Sequence, residues 1–420
     1  MSKRIENLLK QYGNTFFFGA ILFLGTVTKI LMFPASNYDL ECFLVPWYDH
    51  IVGNGRFLAL RNEFSDYNVP YLYLLTLATY LPVAKYTAIK LISLLFDFLG
   101  AWAAAKIVGL KYDSPVMRMG AFSAVFLAPT VMVNSALWGQ CDIIYAGLIL
   151  WSLYFAFKKK GGPAMIFFGL AFSFKLQALF LLPLAGVFLI KKLIRPRHLI
   201  YIPAAFFLLL LPSMALGRSF PSLMSVYIKQ SAQGDIDKIL NWNCANFYQL
   251  FNTDAYNEIA AAGKIIALIA CVGILFYAFK IRRSLDNTTI LKLGVFNALF
   301  VVYFLPGMHE RYYFAADLLS ILLAFYLPRL FYLPLVINFS SLLSYIPFLK
   351  YLRGETTVDL RVLGAAFGLM IIMLVRELAR DVLTKDSEAL LMEPGLKSGG
   401  QCPEISSDHG ISYSGFMKEM

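Results

Sequence analysis

Residues 163–190 read PAMIFFGLAFSFKLQALFLLPLAGVFLI, an apolar run interrupted near its middle by Lys175 and Gln177. About 20 apolar residues suffice to cross the hydrocarbon core of a bilayer, so a run of this length belongs in a membrane. The rest of the chain agrees, since 59% of its 420 residues are hydrophobic, 15% are charged and the mean hydropathy is +0.64. A soluble domain carries about 25% charged residues, and the composition therefore predicts an integral membrane protein.

Similar apolar segments recur along the chain. They lie at 14–33, 69–83, 87–109, 117–136, 143–157, 163–190, 199–216, 260–281, 290–305, 312–327, 330–349 and 358–376. Because none alternates with the period of a β-barrel, only helices can satisfy their backbone groups in lipid. The sequence predicts an all-α fold, a polytopic transmembrane helical bundle of about 11 to 13 membrane segments over residues 1–384. Residues 385–420 are polar and rich in Gly and Ser, and we expect a disordered cytoplasmic tail there.

The charge balance of 37 basic against 26 acidic residues gives a net charge of +11. The basic residues fall in short clusters between apolar runs, which is the positive-inside pattern and gives no reason to expect a nucleic-acid partner. This pattern predicts cytoplasmic termini and three loops, 34–68, 217–258 and 305–314, on the opposite side of the bilayer. For these placements to agree, the run quoted above must form a helical hairpin broken near Lys175. Residues 69–83 must also dip into the membrane and return, or pair with a further span.

The loop at 34–68 is acidic, which is unusual directly after a first membrane span. Asp39 and Glu41 lie a few residues beyond the membrane end, and Asp66 and Tyr67 precede the next apolar run. A solvated loop with an interfacial aromatic belt would explain this composition. Alternatively, a carboxylate that points into a cavity would act as a general base, and the spacing alone does not choose between Asp39 and Glu41.

The stretch SALWGQCDIIY at 135–145 places Gln140 and Asp142 between two apolar runs. Asp142 would either cap the N-terminus of the following helix or bind hydroxyls or a cation from a short exposed turn. Lys175 costs about 2.5 to 3.5 kcal/mol at the centre of a membrane helix, so something must compensate for it. Snorkelling of its ammonium to the interface and binding of an anion such as a phosphate are the two explanations.

The sequence MHERYYF at 308–314 places His309, Glu310 and Arg311 in a turn between two apolar helices. Arg binds phosphate in a bidentate manner and His donates a proton, so the turn suits an anionic leaving group. A Glu310–Arg311 pair within the turn would instead be structural. The turn is not HExxH, and the five cysteines show no metal-binding spacing. The acidic first loop could hold a divalent cation, but no ligand set has convincing spacing, and no cofactor or metal site is predicted.

Four stretches, taken in order, resemble the GT-C superfamily of polytopic glycosyltransferases, most closely the group related to GPI mannosyltransferases. They are the acidic first loop with DYNVPYLYLL at 66–75, SALWGQCDIIYAGL at 135–148, GLAFSFKLQALFLLPL at 169–184 and LPGMHERYYF at 305–314. The resemblance covers residues 14 to about 330 and implies a GT-C-like fold.

The resemblance implies an inverting hexosyltransferase, with mannose favoured, that uses a polyprenyl- or dolichyl-phosphate sugar donor. The acceptor would be a hydroxyl on a glycan, lipid or protein, on the extracytoplasmic or lumenal side. Asp39 would be the catalytic base, and Lys175, His309 and Arg311 would lie near the donor phosphate. The full set of expected substrate- or donor-binding residues is Glu41, Asp66, Tyr67, Gln140, Asp142, Lys175, His309, Glu310 and Arg311.

Two other functions use the same polar residues. A transporter or flippase for a lipid-linked or small polar solute would place them near the bilayer midplane, often with repeat symmetry, and the sequence shows no such symmetry. A non-catalytic subunit of a transferase complex would keep the fold but lack a working base. Both the bacterial plasma membrane and the endoplasmic reticulum suit a site that faces away from the cytoplasm.

Overall fold

The computed structural model describes residues 3–250, 255–281, 285–350 and 358–391. Within these ranges the chain is helical, apart from connections and one pair of two-residue strands. The prediction of an all-α polytopic protein is confirmed at this level.

The helices follow one another along the chain with short connections. The first eight are α1 Lys3–Met32, α2 Val45–Gly53, α3 Val69–Ala78, α4 Lys85–Val108, α5 Pro115–Phe126, α6 Pro129–Val131, α7 Asp142–Phe157 and α8 Gly161–Phe174. The others are α9 Leu182–Ile190, α10 Tyr201–Ala215, α11 Phe220–Asp237, α12 Tyr256–Lys280, α13 Asn287–Phe304, α14 Phe314–Tyr326, α15 Tyr332–Lys350 and α16 Leu360–Leu391. The strands are β1 Asn241–Trp242 and β2 Met308–His309.

Seven helices in the described ranges are long and apolar enough to cross a bilayer, or eight crossings if the bent pair 115–126 and 129–138 forms one span. Four shorter apolar helices accompany them, at Val69–Ala78, Asp142–Phe157, Gly161–Phe174 and Leu176–Ile190. The expected number of about 11 to 13 membrane segments treated such short helices as full segments, because hydropathy does not report where a helix bends. Large apolar side chains such as Phe23 and Phe276 are each 68% exposed, as expected for a surface that faces lipid.

The apolar run at 163–190 is broken at Lys175, as the charge pattern predicted. α8 ends at Phe174, and Lys175 has an extended backbone with φ −144° and ψ 136°. A 3₁₀ segment, Leu176–Leu181, then leads into α9. The break therefore places Lys175 at the junction between two helices instead of the middle of a span.

The predicted dip at 69–83 corresponds to α3, whose ten residues are too few to cross a bilayer. The chain returns to Lys85 at the start of α4, where the Lys85 ammonium pairs with Asp49 of α2 at 2.8 Å. This geometry favours the dip and return over pairing with a further span.

The predicted outer loops are largely ordered into short elements. The loop at 34–68 contains α2, and the loop at 217–258 contains α11 and β1, while 251–254 lie outside the described residues. β1 pairs in parallel with β2, with Asn241 opposite Met308 and Trp242 opposite His309. The second and third loops are therefore joined to each other.

Close packing of α4 on α7 fixes the position at which α7 begins. A Cβ atom on Gly147 would lie 3.2 Å from the Cα atom of Gly100, so these two glycines allow the backbones to approach closely. The hydroxyl of Ser93 on α4 donates to the carbonyl of Gln140, just before α7, at 2.6 Å. The start of α7 is thus held against α4 near Ser93.

The last helix, α16, continues to Leu391, so the first residues of the predicted tail are helical. The remainder of that tail, 392–420, lies outside the described residues.

Candidate functional site

A cavity of about 460 Å³ lies where the three predicted outer loops meet. The candidate residues in its wall are Asp39, Asp66, Tyr67, Gln140, Lys175, His309 and Arg311. Helices α1, α8 and α13 end next to these residues, and α7 and α14 begin next to them. The cavity therefore lies at one end of these helices, and it gathers most of the residues that the sequence singled out.

Asp39 lies in the cavity wall with 8% of its surface exposed. Its Oδ2 atom accepts hydrogen bonds from Trp138 Nε1 at 3.0 Å, Gln140 Nε2 at 2.6 Å and Arg311 Nη1 at 3.4 Å. No described residue donates a hydrogen bond to its Oδ1 atom. Three donors on one oxygen fix the orientation of the carboxylate and leave the other oxygen available for a substrate proton.

Gln140 is itself oriented by two neighbours. The hydroxyl of Tyr67 donates to Gln140 Oε1 at 2.8 Å, so the amide nitrogen of Gln140 faces Asp39. Asn37 Nδ2 donates to the carbonyl of Trp138 at 2.9 Å and so ties the first loop to the turn that carries Gln140. The position of Asp39 is therefore determined by residues from two distant parts of the chain.

Lys90 of α4 also supports the position of Asp39, although the sequence analysis did not single this residue out. Its side chain is fully buried, and its ammonium donates to the carbonyls of Phe33 at 3.0 Å and Ala35 at 2.7 Å. These carbonyls belong to the chain that leads from α1 to Asp39. A lysine in the first turns of a membrane helix reads as an interfacial residue, so its sequence position gave no signal of this role.

Lys175 is compensated by an ion pair with Asp142. The Lys175 ammonium lies 2.5 Å from Asp142 Oδ1, and the two side chains are 8% and 1% exposed. Asp142 Oδ2 accepts a hydrogen bond from Asn134 Nδ2 at 2.9 Å. Cys141 occupies the N-cap position of α7, so the interpretation of Asp142 as an N-cap is wrong. Of the two paired residues only Lys175 lines the cavity, and its ammonium is buried instead of snorkelling to an interface.

Arg311 links three carboxylates. Its Nη1 atom lies 3.4 Å from Asp39 Oδ2 and 3.3 Å from Glu310 Oε1, and its Nε atom lies 3.9 Å from Asp142 Oδ2. The pairing of Glu310 with Arg311 inside the turn is therefore present, but it is one of three. Glu310 is 1% exposed and does not line the cavity. Burial raises the pKa of Glu310 to about 7, against the opposite effect of the Arg311 guanidinium.

His309 lines the cavity beside Trp242, and the β1–β2 pairing aligns the two residues. Their rings are stacked, with centroids 5.7 Å apart and planes inclined by 7°. Burial, together with the cations of Arg311 and Lys175, lowers the pKa of His309 well below its ordinary range. Near neutral pH the imidazole is therefore uncharged, and it can donate one hydrogen bond and accept another.

Glu41 lies outside the cavity, although it is only two residues from Asp39. Its carboxylate accepts hydrogen bonds from the hydroxyls of Ser36, at 2.6 Å, and Tyr86 on an exposed surface. These hydrogen bonds lower the pKa of Glu41. The structure thus separates the two carboxylates that the sequence spacing left equivalent. Trp47 is only 7% exposed and lines the cavity, so it does not belong to an interfacial aromatic belt.

The wall next to the end of the first loop comes from α11, to which the sequence analysis assigned no site residue. Lys229, Gln230, Gln233 and Asp237 of this helix line the cavity. Their spacing of three and four residues places them on one helical face. This spacing could have identified the residues from the sequence. It was missed because α11 is not one of the candidate membrane spans.

Among the described residues, no group of three or more His, Cys, Asp or Glu side chains is arranged to hold a metal ion. A search with models of protein families and a search of curated proteins both found no match to the chain. The function of the chain is therefore inferred from the residues of this cavity and from their geometry.

Proposed function

We propose that the chain is a membrane glycosyltransferase of the GT-C type. It would move a hexose, with mannose favoured, from a polyprenyl- or dolichyl-phosphate donor to an acceptor hydroxyl. The observation that carries the proposal is the orientation of Asp39, which has one oxygen held by three donors and the other free, in a cavity that also contains Lys175 and Arg311. A base next to two cations suits the displacement of a phosphate by a hydroxyl.

In the proposed reaction the acceptor oxygen attacks the anomeric carbon while Asp39 Oδ1 takes the hydroxyl proton. The bond between the anomeric carbon and the phosphate oxygen breaks, and the lipid phosphate leaves with the electron pair. One displacement inverts the anomeric configuration. No nucleotide-sugar site is needed, because the donor is a lipid phosphate.

Lys175 and Arg311 would stabilise the charge that develops on the leaving phosphate. Both cations are oriented beforehand by buried carboxylates, Lys175 by Asp142 and Arg311 by Glu310. Fixed charges in a site from which water is largely excluded stabilise developing charge without reorganisation. This role would explain why a lysine lies inside the apolar run at 163–190.

The position of the polar residues relative to the helix ends supports an enzyme over a transporter. They gather where several helices end or begin, whereas transporters place substrate-binding groups near the bilayer midplane on broken helices. The charge pattern of the connections supports a cavity that faces away from the cytoplasm, in a bacterial plasma membrane or in the endoplasmic reticulum.

The proposal is tested in membranes that contain the full chain, with a panel of radiolabelled polyprenyl-phosphate sugars scored for label that leaves the donor lipid. Asp39→Asn and Asp39→Ala should lower transfer by about 10²- to 10⁴-fold at normal expression. Glu41→Gln is the matched control, because this carboxylate lies outside the cavity, and it should retain wild-type transfer. Activity retained in both Asp39 variants, or no transfer by the wild type from any donor, would overturn the proposal.

A further inference from the structure

The cavity has a second set of polar side chains that the proposed displacement does not use. On α11, cavity-lining residues recur at intervals of three and four positions, and we call them the α11 wall: Val226, Lys229, Gln230, Gln233 and Asp237. Next to it the first loop contributes Glu63, Ser65 and Asp66, which we call the loop wall.

Hydrogen bonds hold the two walls in a fixed relation. The ammonium of Lys229 donates to the carboxylate of Glu63, and the amide of Gln230 donates to the backbone carbonyl of Asp66. The hydroxyl of Ser222, also on α11, donates to Glu63 Oε2 at 3.0 Å. The polar groups between the walls are therefore positioned before any ligand binds, which reduces the entropy lost on binding.

The balance of charge between the walls is negative. Glu63, Asp66 and Asp237 contribute three carboxylates, whereas the two nearby cations, Lys229 and the buried Arg218, both pair with Glu63. The excess negative charge is therefore that of Asp66 and Asp237. This pairing lowers the pKa of Glu63, so Glu63 remains ionised. Among the described residues nothing donates a hydrogen bond to the carboxylate of Asp66. Such surroundings repel a phosphate, whereas the cations that suit the donor phosphate, Lys175 and Arg311, lie among the other set of residues.

The remaining chemistry between the walls suits hydroxyl groups. The amide nitrogen of Gln230 donates to the carbonyl of Asp66, and that of Gln233 donates to Asp237 Oδ2 at 2.6 Å. Each amide has a second N–H and an oxygen with which to bind a hydroxyl, and the carboxylates of Asp66 and Asp237 accept from hydroxyls. Trp47 and Trp242 line the same cavity and present apolar ring surfaces beside these polar groups. A ligand with many neutral hydroxyls on an apolar ring face matches this combination.

We propose, resting on the function proposed above, that the α11 wall and the loop wall form the acceptor subsite and that the acceptor is a neutral glycan. A peptide hydroxyl would leave most of these groups unpaired, and a phosphorylated acceptor would meet a surplus of carboxylates.

The test uses membranes with the full chain and the labelled donor that the panel selects. Three acceptors are compared: a neutral methyl mannobioside, the same disaccharide carrying one phosphate, and a serine-containing peptide. The wild type should transfer label to the neutral disaccharide in preference to the other two. Gln233→Ala should raise the KM for this disaccharide about five- to tenfold, the effect of a lost hydrogen bond, and leave the KM for the donor unchanged.

Ser231→Ala is the matched control on the same helix. The hydroxyl of Ser231 donates to the carbonyl of Ile228 and does not line the cavity, so this variant should keep the wild-type KM for the acceptor. Both positions are exposed, so neither change threatens folding. Asp66→Asn should improve use of the phosphorylated disaccharide, because it removes one repelling charge.

The acceptor proposal is overturned if the wild type prefers the peptide or the phosphorylated disaccharide, or if Gln233→Ala keeps the wild-type KM for the neutral one. These results leave the proposed transfer intact, since label still leaves the donor. Failure of the proposed function gives a different result, in which no label leaves any donor whichever acceptor is present.

Discussion

Two buried lysine–aspartate pairs in this molecule have nearly the same chemistry and different surroundings. Lys29 on α1 lies 2.6 Å from Asp97 on α4, and both side chains are completely buried. Lys175 lies 2.5 Å from Asp142, and these side chains are 8% and 1% exposed. Each aspartate also accepts a hydrogen bond, and the two donors are consecutive residues. Ser135 donates to Asp97 at 2.7 Å, and Asn134 donates to Asp142 at 2.9 Å.

The pairs differ in what else reaches them. The ammonium of Lys29 lies 4.5 Å from the ring centroid of Phe126, and neither Lys29 nor Asp97 lines the cavity. Lys175 lines the cavity, and Asp142 also has the guanidinium of Arg311 at 3.9 Å. An ion pair inside a membrane protein is therefore not by itself a sign of function, and access from a cavity distinguishes the two cases.

The largest expected difference between the pairs is in catalysis. Lys175→Met should lower kcat/KM for transfer by about 10²- to 10³-fold, because it removes a cation from the developing phosphate charge. Lys29→Met should leave the kcat/KM of the folded protein within about twofold of the wild type, since this lysine lies outside the cavity. The comparison uses initial rates of transfer divided by the amount of folded protein. That amount is measured by fluorescence-detected gel filtration. Equal losses in both variants would contradict the distinction.

The next effect concerns stability. The two ion pairs are compared by whether a second substitution, of the aspartate, restores stability and transfer. Lys29→Met leaves the Asp97 carboxylate buried without its cation, and we expect a loss of about 3 to 5 kcal/mol. The double variant Lys29→Met/Asp97→Asn should recover most of that loss, because both charges are then absent. Lys175→Met/Asp142→Asn should likewise recover stability but not transfer. Thermal melting in detergent measures the recovery of stability, and the transfer assay measures the recovery of activity. Recovery of transfer in Lys175→Met/Asp142→Asn would contradict the proposed role of Lys175.

A smaller, pH-dependent effect is expected at Glu310, one of the three acids beside Arg311. Its pKa is raised from 4.5 to about 7, so the folded chain keeps a proton that the unfolded chain releases in this range. The stability contributed by this group therefore falls as pH rises from about 4.5 to about 7, by about 3 kcal/mol at 1.36 kcal/mol per pKa unit. Glu310→Gln does not titrate, so its melting temperature should rise relative to that of the wild type between pH 5 and pH 8. A difference independent of pH would show that Glu310 has an ordinary pKa.

The smallest expected effect is at Lys90, a third buried lysine, whose ammonium is bonded to backbone carbonyls. Lys90→Met should lower kcat about tenfold and leave the KM for the donor unchanged, because the path of the chain to Asp39 shifts while the donor site stays intact. Lys90→Arg keeps the charge and should restore part of kcat. Lys106→Met on the same helix is the control, since Lys106 is exposed. Parallel changes in kcat and KM would indicate general damage instead of a positioning role.

Local features of the sequence predicted the membrane class and the break in the apolar run at 163–190. The length of the apolar runs indicates that the chain is surrounded by lipid. A single lysine inside such a run indicates a break in the helix, because a cation is costly at the centre of a span. Polar interruptions of apolar runs also drew attention to Gln140, Lys175 and the turn at 308–314, because polar and charged groups in such surroundings are costly wherever they occur. The first loop offered Asp39 and Glu41 as equivalent candidates. Spacing failed for Glu41, because two carboxylates two residues apart differ only in which side of the chain faces the cavity.

By itself the sequence determined that this chain is a helical membrane protein and which of its polar residues need compensation, since hydropathy and burial cost are properties of short segments. Only the tertiary structure decided the partners: Lys175 with Asp142 across 33 positions, and Arg311 with Asp39 across 272. It also decided that α11 forms a wall of the cavity and that Lys90 supports the approach to Asp39. These contacts depend on how helices pack, and helix packing is set by interactions between residues far apart in the chain, which no local pattern records.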